Sequence, residues 1–161
     1  MTAAAEVLLP SSADEAVALY GDGTDVTVIG GGTIVLPEIT YGRLKPTKAL
    51  LLGRAGLAGI SRDGSTVTIG ATTPVAALVG EAAPLGPCAA NVADLEIRGQ
   101  ATVGGNLCAG EGPDAPRGDL QGALLALGAT VRSAGEGGIT IDPLEEFLPK
   151  QIGRASCRER V

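Results

Sequence analysis

Glu96-Ile97-Arg98-Gly99-Gln100-Ala101-Thr102-Val103-Gly104-Gly105-Asn106-Leu107 is the stretch on which the reading of this 161-residue chain turns. A second glycine loop, Ile29-Gly30-Gly31-Gly32-Thr33, lies upstream of it. Neither loop is a nucleotide signature by itself. Taken together, they suggest two backbone cradles closing on one phosphorylated ligand from two subdomains.

Around the upstream loop the chain alternates between strand and helix signals. Val7-Leu8-Leu9 reads as a short strand ended by Pro10. Ser12-Ala13-Asp14-Glu15 has capping-box spacing, with Ser12 as N-cap and Glu15 three residues later. Ala13, Ala16, Val17 and Tyr20 fall on one helical face, and Gly21 supplies a stop. Val26 to Ile29 reads as a buried strand, so strand, helix and strand form a βαβ unit that runs into Gly30-Gly31-Gly32-Thr33. Three glycines at a strand end remove every Cβ, which permits positive φ and close approach of N–H groups to a ligand; a plain tight turn is the competing reading. A short helix is expected from Ile34 to Ile39, with its N-terminus facing the loop. The loop does not match G-x-G-x-x-G, and no acidic residue near position 50 offers a ribose partner.

Between the two loops, Ala49 to Leu52 reads as another buried strand. Ile60-Ser61-Arg62 and Thr66 to Ile69 flank Asp63-Gly64-Ser65 as a hairpin. Thr73 as N-cap with Pro74 at the first helical position predicts a short helix. Pro87 to Leu95 predicts a second, Ala-rich one. Beyond the opening stretch, Leu107 to Gly118 reads as irregular. Asp119 is then an N-cap candidate for a helix with an apolar stripe of Leu120, Ala123, Leu124 and Leu127. Strands are expected at Ala129 to Arg132 and Ile139 to Ile141. Asp142-Pro143-Leu144-Glu145 opens one last helical turn.

Composition narrows the chemistry. The length suits one domain or two small subdomains, and a chain this size buries roughly 70% of its unfolded surface. Hydrophobic residues make up 45% of the sequence but aromatics only 2%, so the core is built from Ala, Val, Leu and Ile. Tyr20, Tyr41 and Phe147 are the only aromatic residues, which leaves little for base stacking. A net charge of −6 also argues against a nucleic-acid partner. There is no histidine, which excludes a histidine-based triad. Cys88, Cys108 and Cys157 have no CxxC spacing, so neither a zinc site nor an iron–sulfur cluster held by this chain alone is expected. No apolar run reaches the roughly 18 residues of a membrane span. No signal-peptide pattern opens the chain, and a cytoplasmic location is the expectation.

The last eleven residues, Gln151 to Val161, break with this composition. They bring three arginines and a cysteine into a polar run that back-translates into a common sequencing-library adapter, and they read as a non-native tail. Without its three arginines and one glutamate, nine basic and seventeen acidic residues remain, a net charge near −8.

Five motifs in register carry a family resemblance: Ile29 to Thr33, Ile69-Gly70-Ala71-Thr72-Thr73, Glu96-Ile97-Arg98, Thr102 to Asn106, and Asp119-Leu120 with Leu124 to Ala129. Over residues 5 to 148 the chain resembles the FAD-binding (medium) subunit of molybdenum hydroxylases, the carbon monoxide, xanthine and aldehyde dehydrogenase type. The resemblance implies a two-lobed α+β fold of the molybdopterin dehydrogenase flavoprotein type. Its N-terminal βαβ lobe would span residues 1–55 and its larger mixed α+β lobe 56–150, without the family's C-terminal domain. It implies FAD as cofactor, with Ile29, Gly30, Gly31, Gly32, Thr33 and Ile34 around the pyrophosphate. Thr102, Val103, Gly104, Gly105 and Asn106 would close on it from the other side, and Asp119 would lie near the adenosine ribose. The Thr102 hydroxyl and Asn106 amide fit as neutral donors.

Arg98 stands where the family has a basic residue. A surface ion pair with Glu96 or Asp94 is favoured over a phosphate contact. Cys108 is assigned no redox role, and no catalytic residue or metal ligand is expected. The sequence departs from the family at Gly30, Ile34 and Gly99, and through a longer Cys108 to Gly118 segment. The implied function is an electron relay. A molybdopterin-containing large subunit and a 2Fe-2S small subunit would deliver electrons that pass through FAD to NAD, a quinone or oxygen. A stand-alone flavin reductase of the same superfamily, and a non-catalytic interaction module whose glycine loops are only turns, remain the alternatives.

Overall fold

A computed structural model of the chain describes residues 5–110, 118–135 and 137–152, with residues 151 and 152 described in backbone only. The N-terminal part is a three-stranded parallel sheet formed by β1 (Glu6–Leu8), β2 (Val26–Ile29) and β3 (Lys48–Leu51). The strand order is β1-β3-β2, with Glu6 and Val26 both opposite Lys48. The first strand–helix–strand unit therefore skips a position, and β3 fills the gap between its two strands. Sequence periodicity detects strands but not the order in which they pair.

Helix α1 (Ala13–Tyr20) covers this sheet. Ser12 caps it as expected, its hydroxyl accepting from Glu15 N–H at 3.1 Å. The return arm differs from a capping box: the Glu15 carboxylate accepts from Ser11 N–H and from the Ser11 hydroxyl. Ala16, Tyr20, Val26, Val28, Leu50, Leu52 and Ala55 close the first core, and short side chains let the helix sit close to the strands. The short helix after the glycine loop is α2 (Val35–Thr40).

The remainder is a mixed assembly. β4 (Ile60–Asp63) and β5 (Thr66–Ile69) form the expected hairpin, closed by Gly64 and Ser65 with Gly64 at φ 56°. Where one helix from Pro87 to Leu95 was expected, there are two, α3 (Leu85–Ala90) and α4 (Leu95–Gln100). Asp94 separates them by capping α4, accepting from Ile97 N–H at 2.7 Å. α5 (Val103–Leu107) and α6 (Asp119–Ala126) follow, then the hairpin of β6 (Thr130–Gly135) and β7 (Gly138–Pro143), and α7 (Leu144–Ile152). The last helix is longer than the single turn expected. Asp142 pairs with Lys150 at 2.7 Å. Leu127 lies past the end of α6 and is exposed, so the apolar stripe of that helix stops at Leu124. Residues 153–161 of the proposed tail, and 111–117 of the irregular segment, lie outside the described residues.

The second core joins Val75, Leu78, Leu85, Ala89, Val92, Ala101, Val103, Leu120 and Ala123. A third, around Leu107, Cys108, Leu144 and Phe147, fixes α7 beneath α5.

Thr73 does not N-cap a helix. It is buried, and its hydroxyl accepts from Gly59 N–H at 2.9 Å while donating to Gly59 C=O at 3.0 Å. The helical signal at Thr73-Pro74 resolves into a 3-10 turn, Val75–Leu78, without a side-chain cap. Thr73→Val keeps the shape but leaves Gly59 N–H without its acceptor, at an expected cost of about 1–3 kcal/mol. Thr73→Ser keeps both bonds and loses less. Urea denaturation of the two variants measures the difference.

Candidate functional site

The two glycine stretches meet. Gly31 lies so close to the Gln100 carbonyl that no Cβ fits between them, and a Cβ on Gly30 would stand 2.6 Å from Thr102 Oγ1. Gly32 has a different reason to be glycine, with φ at 76° in the left-handed region. Its carbonyl accepts from Leu36 N–H at 2.9 Å, which begins α2. The three glycines thus divide their work between packing at the first two and backbone conformation at the third.

The downstream stretch is held from behind. Ala101 C=O accepts from Val75 N–H at 2.8 Å, Val103 N–H donates to Thr73 C=O at 2.9 Å, and Gly104 N–H donates to Ala71 C=O at 2.8 Å. A Cβ on Gly104 would press on Ala71, at 3.0 Å from its carbonyl oxygen. The Ile69 to Thr73 motif is therefore a strap for the 101–104 backbone.

Between the stretches lies a cleft of about 370 Å³, within the ~300–1,000 Å³ range of small-molecule sites. Gly31, Thr33 and Ile34 line one side, and Thr102, Gly105, Asn106 and Asp119 line another. Ile29, Gly30, Gly32, Val103 and Gly104 do not line it. Ile29 is buried at the end of β2, Val103 belongs to the second core, and the three glycines serve the contacts just described.

The two stretches differ in what they offer a ligand. Among the described residues, the N–H groups of Gly31, Gly32, Thr33 and Ile34 have no backbone or side-chain acceptor. In the second stretch, Gly105 N–H donates to Thr102 Oγ1 at 3.2 Å and Asn106 N–H to Thr102 C=O at 2.9 Å, while those of Val103 and Gly104 are held by the strap. With the N–H groups of 103–106 committed within the protein, a backbone cradle over that run is not what the fold builds. That stretch contributes side chains and a wall. Asn106 is buried and its Oδ1 accepts from Leu120 N–H at 2.9 Å, capping α6 in place of Asp119. Asp119 is the first residue of α6 and its side chain makes no capping bond; its position on the cleft is compatible with a ligand contact.

Residues with no site role assigned from the sequence complete the cleft: Val35, Pro37 and Glu38 from α2, and Val92, Ala93, Ile97 and Ala101 from the α3–α4 region. Ala93 has φ at 42°, a conformation that nothing in an alanine announces. Arg98 does not make the ion pair considered for it; its Nη1 reaches the carbonyls of Ala90, Val92 and Ala93. No lysine or arginine is among the lining residues. Glu38 is bound through both oxygens by Arg43, at 2.7 and 2.8 Å, and the Arg43 guanidinium lies 4.8 Å from the Tyr41 ring centroid. That hydrogen bonding holds the Glu38 carboxyl below the ordinary glutamate range. Among the described residues no cluster of His, Cys, Asp and Glu has metal-binding geometry, and no helix is long and apolar enough to cross a membrane.

The sequence profile of the FAD binding domain in molybdopterin dehydrogenase matches residues 3–159. The chain belongs to this family. It is 31% identical over 153 residues to the carbon monoxide dehydrogenase medium chain of Hydrogenophaga pseudoflava, covering 86% of this chain and 50% of the relative. It is 33% identical over 146 residues to the medium chain of Afipia carboxidovorans, covering 86% and 49%. The structure of the Hydrogenophaga pseudoflava carbon monoxide dehydrogenase lacking the Mo-pyranopterin moiety of its cofactor superposes with a TM-score of 0.79 at 29% identity, over 92% of this chain and 53% of that one. The chain spans about half the length of the curated relatives it matches. The fold is that of the molybdopterin dehydrogenase flavoprotein, and the chain is an FAD-binding domain. The residues present fit the cofactor, since a strand end with four uncommitted N–H groups suits a phosphate.

Gly31→Ala in this FAD-binding domain is expected to cost about 1–3 kcal/mol of stability and to weaken FAD binding, because the new methyl meets backbone. Gly30→Ala is milder, since it meets a side chain rather than backbone, at the expense of the Thr102 bond to Gly105 N–H; thermal melts with and without FAD give the ranking. For Glu38 the folded pKa is depressed. The contribution of its pair with Arg43 is therefore complete above the unfolded glutamate value of about 4.3 and is lost as pH falls through the lower folded value. An NMR titration of the Glu38 carboxyl should show a low midpoint that rises in Arg43→Gln.

Proposed function

We propose that this chain is the FAD-binding electron-transfer part of a molybdenum-containing dehydrogenase. Electrons would arrive from an iron–sulfur subunit and leave through FAD to NAD, a quinone or oxygen. The observation that carries the binding part of this reading is the row of uncommitted N–H groups at Gly31 to Ile34, set across a cleft from Thr102, Asn106 and Asp119. The relay and its partners, a molybdopterin-containing large subunit and a 2Fe-2S small subunit, are inferred from the relatives, which are medium chains of carbon monoxide dehydrogenase.

In this reading the Gly31 to Ile34 backbone donates to pyrophosphate oxygens, and Gly32 supplies the left-handed turn that gathers these donors. The Thr102 hydroxyl, already accepting from Gly105, keeps its own proton available to a phosphate or ribitol oxygen. Asn106, which lines the cleft, is locked through Oδ1 by its bond to Leu120, and its amide nitrogen would serve as a donor to the ligand. Asp119 offers a carboxylate to a ribose hydroxyl. Val92, Ala93, Ile97 and Ala101 form an apolar wall that excludes water from part of the cofactor. Bound FAD would supply the redox chemistry, and the protein its position and surroundings. Glu38 is tied to Arg43, an arrangement that suits holding a cofactor better than proton transfer to a substrate.

Titration of the purified chain with FAD, followed by the visible flavin band and the melting temperature, tests the reading. Free FAD at a hundred times its Kd should stabilise the fold by about 2.7 kcal/mol. A folded chain indifferent to FAD favours the interaction module. With the two partner subunits present, bleaching of the flavin by the dehydrogenase substrate should require the iron–sulfur subunit. Direct bleaching by a nicotinamide donor, without that subunit, would instead mark a stand-alone reductase.

A further inference from the structure

We propose that Arg98 is a positioning residue for the cofactor: it clamps the strained α3–α4 connection into the shape that makes the apolar wall of the cleft. The argument begins with the connection itself. Val92 N–H donates to Ala89 C=O as α3 ends, Ala93 takes φ 42°, and Asp94 turns extended to cap α4. An alanine in the left-handed region is strained by its Cβ, so another contact must hold it there. Val92 and Ala93 both line the cleft, beside Ile97 and Ala101 from the far end of the same unit.

Arg98 lies one turn along α4 and reaches back. Its Nη1 is 2.6 Å from Ala90 O, 3.0 Å from Val92 O and 3.1 Å from Ala93 O. Three carbonyls from one short connection converge on a single cationic nitrogen. A permanently charged donor suits carbonyls gathered at a helix C-terminus, where their partial negative charge accumulates. Arg98 is not itself among the residues that line the cleft, so its effect on a ligand passes through Val92 and Ala93. The connection stays put because Arg98 sits on α4, which the strap at Ala101 and the cap at Asp94 hold in place.

The proposal rests on the FAD reading of the cleft, and the experiment separates the two. Full-length wild type, Arg98→Gln, Arg98→Lys, Ala93→Gly and the double variant Arg98→Gln/Ala93→Gly are titrated with FAD, following flavin fluorescence and visible circular dichroism. Melting temperatures without FAD are recorded alongside. Arg98→Gln should weaken FAD binding about tenfold, the scale of one lost charge-assisted hydrogen bond, with an altered dichroism of the bound flavin. Because glycine accepts positive φ freely, adding Ala93→Gly should recover about threefold of that loss. Arg98→Lys should fall between wild type and Arg98→Gln. If wild type does not bind FAD, the functional reading fails. If wild type binds and Arg98→Gln binds equally well, the positioning role fails alone. Loss of affinity that Ala93→Gly does not relieve also overturns it, since the effect then does not run through Ala93. If Arg98→Gln does not fold, Arg98→Lys with and without Ala93→Gly makes the same comparison.

Discussion

The contact between Gly31 and the Gln100 carbonyl is the constraint on which the site depends. It brings a parallel sheet covered by one helix against an assembly of short helices, backbone to backbone, with no side chain between. Any Cβ at position 31 would force the two parts to separate. The cleft exists because contact is made at Gly30 and Gly31, while the chain diverges beyond them into α2 on one side and α5 on the other. Gly32, with its left-handed φ, sets the direction of that divergence.

A division of labour follows from where the hydrogen bonds go. Buried backbone groups are nearly always paired, and from Val103 to Asn106 the second stretch satisfies that rule within the protein, through the Ala71–Thr73 strap and the Thr102 cap. It is therefore rigid before any ligand arrives. The first stretch leaves its donors uncommitted and relies on the contact with the second to keep its shape. One side is a fixed wall with polar side chains, the other a set of N–H groups held open. Two similar-looking glycine motifs thus play unlike roles, which the distribution of acceptors reveals and the residue letters do not.

Much of this was legible in the sequence. The strands at Val26 to Ile29 and Ala49 to Leu52, the Asp63-Gly64-Ser65 hairpin, the Ser12 cap and the pairing of the two glycine stretches are all signals of local chemistry, and local chemistry survives folding. What could not be read was tertiary. Thr73-Pro74 has the local form of a helix start, yet a buried bond pair to Gly59 uses the hydroxyl elsewhere. Asp119 looks like an N-cap, yet Asn106 takes that task from the neighbouring helix. Arg98 had carboxylates close in sequence and chose carbonyls, because the α3–α4 connection folds back beneath it. In the apolar wall, Ile97 falls in the Glu96-Ile97-Arg98 motif, but Val92 and Ala93 carry no motif at all. The wall follows from the break between α3 and α4, and an uninterrupted Ala-rich helix would have hidden it.

The electrostatics of the cleft bear on which ligand it accepts. The chain is acidic overall, and the ionisable side chains lining the cleft are Glu38 and Asp119, both carboxylates. A small free anion approaching this site meets an unfavourable long-range field, and the N–H groups at Gly31 to Ile34 act only over short distances. A bare phosphate thus gains little. A ligand that also buries apolar surface against Val92, Ala93 and Ile97 gains an area-proportional term that does not depend on charge. In the proposed reading, holding the phosphates with neutral donors also avoids stripping water from a lysine or arginine inside the cleft. In that reading, selectivity for a large, partly apolar dinucleotide over its phosphate fragments comes from combining a weak anion cradle with an apolar wall, and the wall follows how the α3–α4 connection is held.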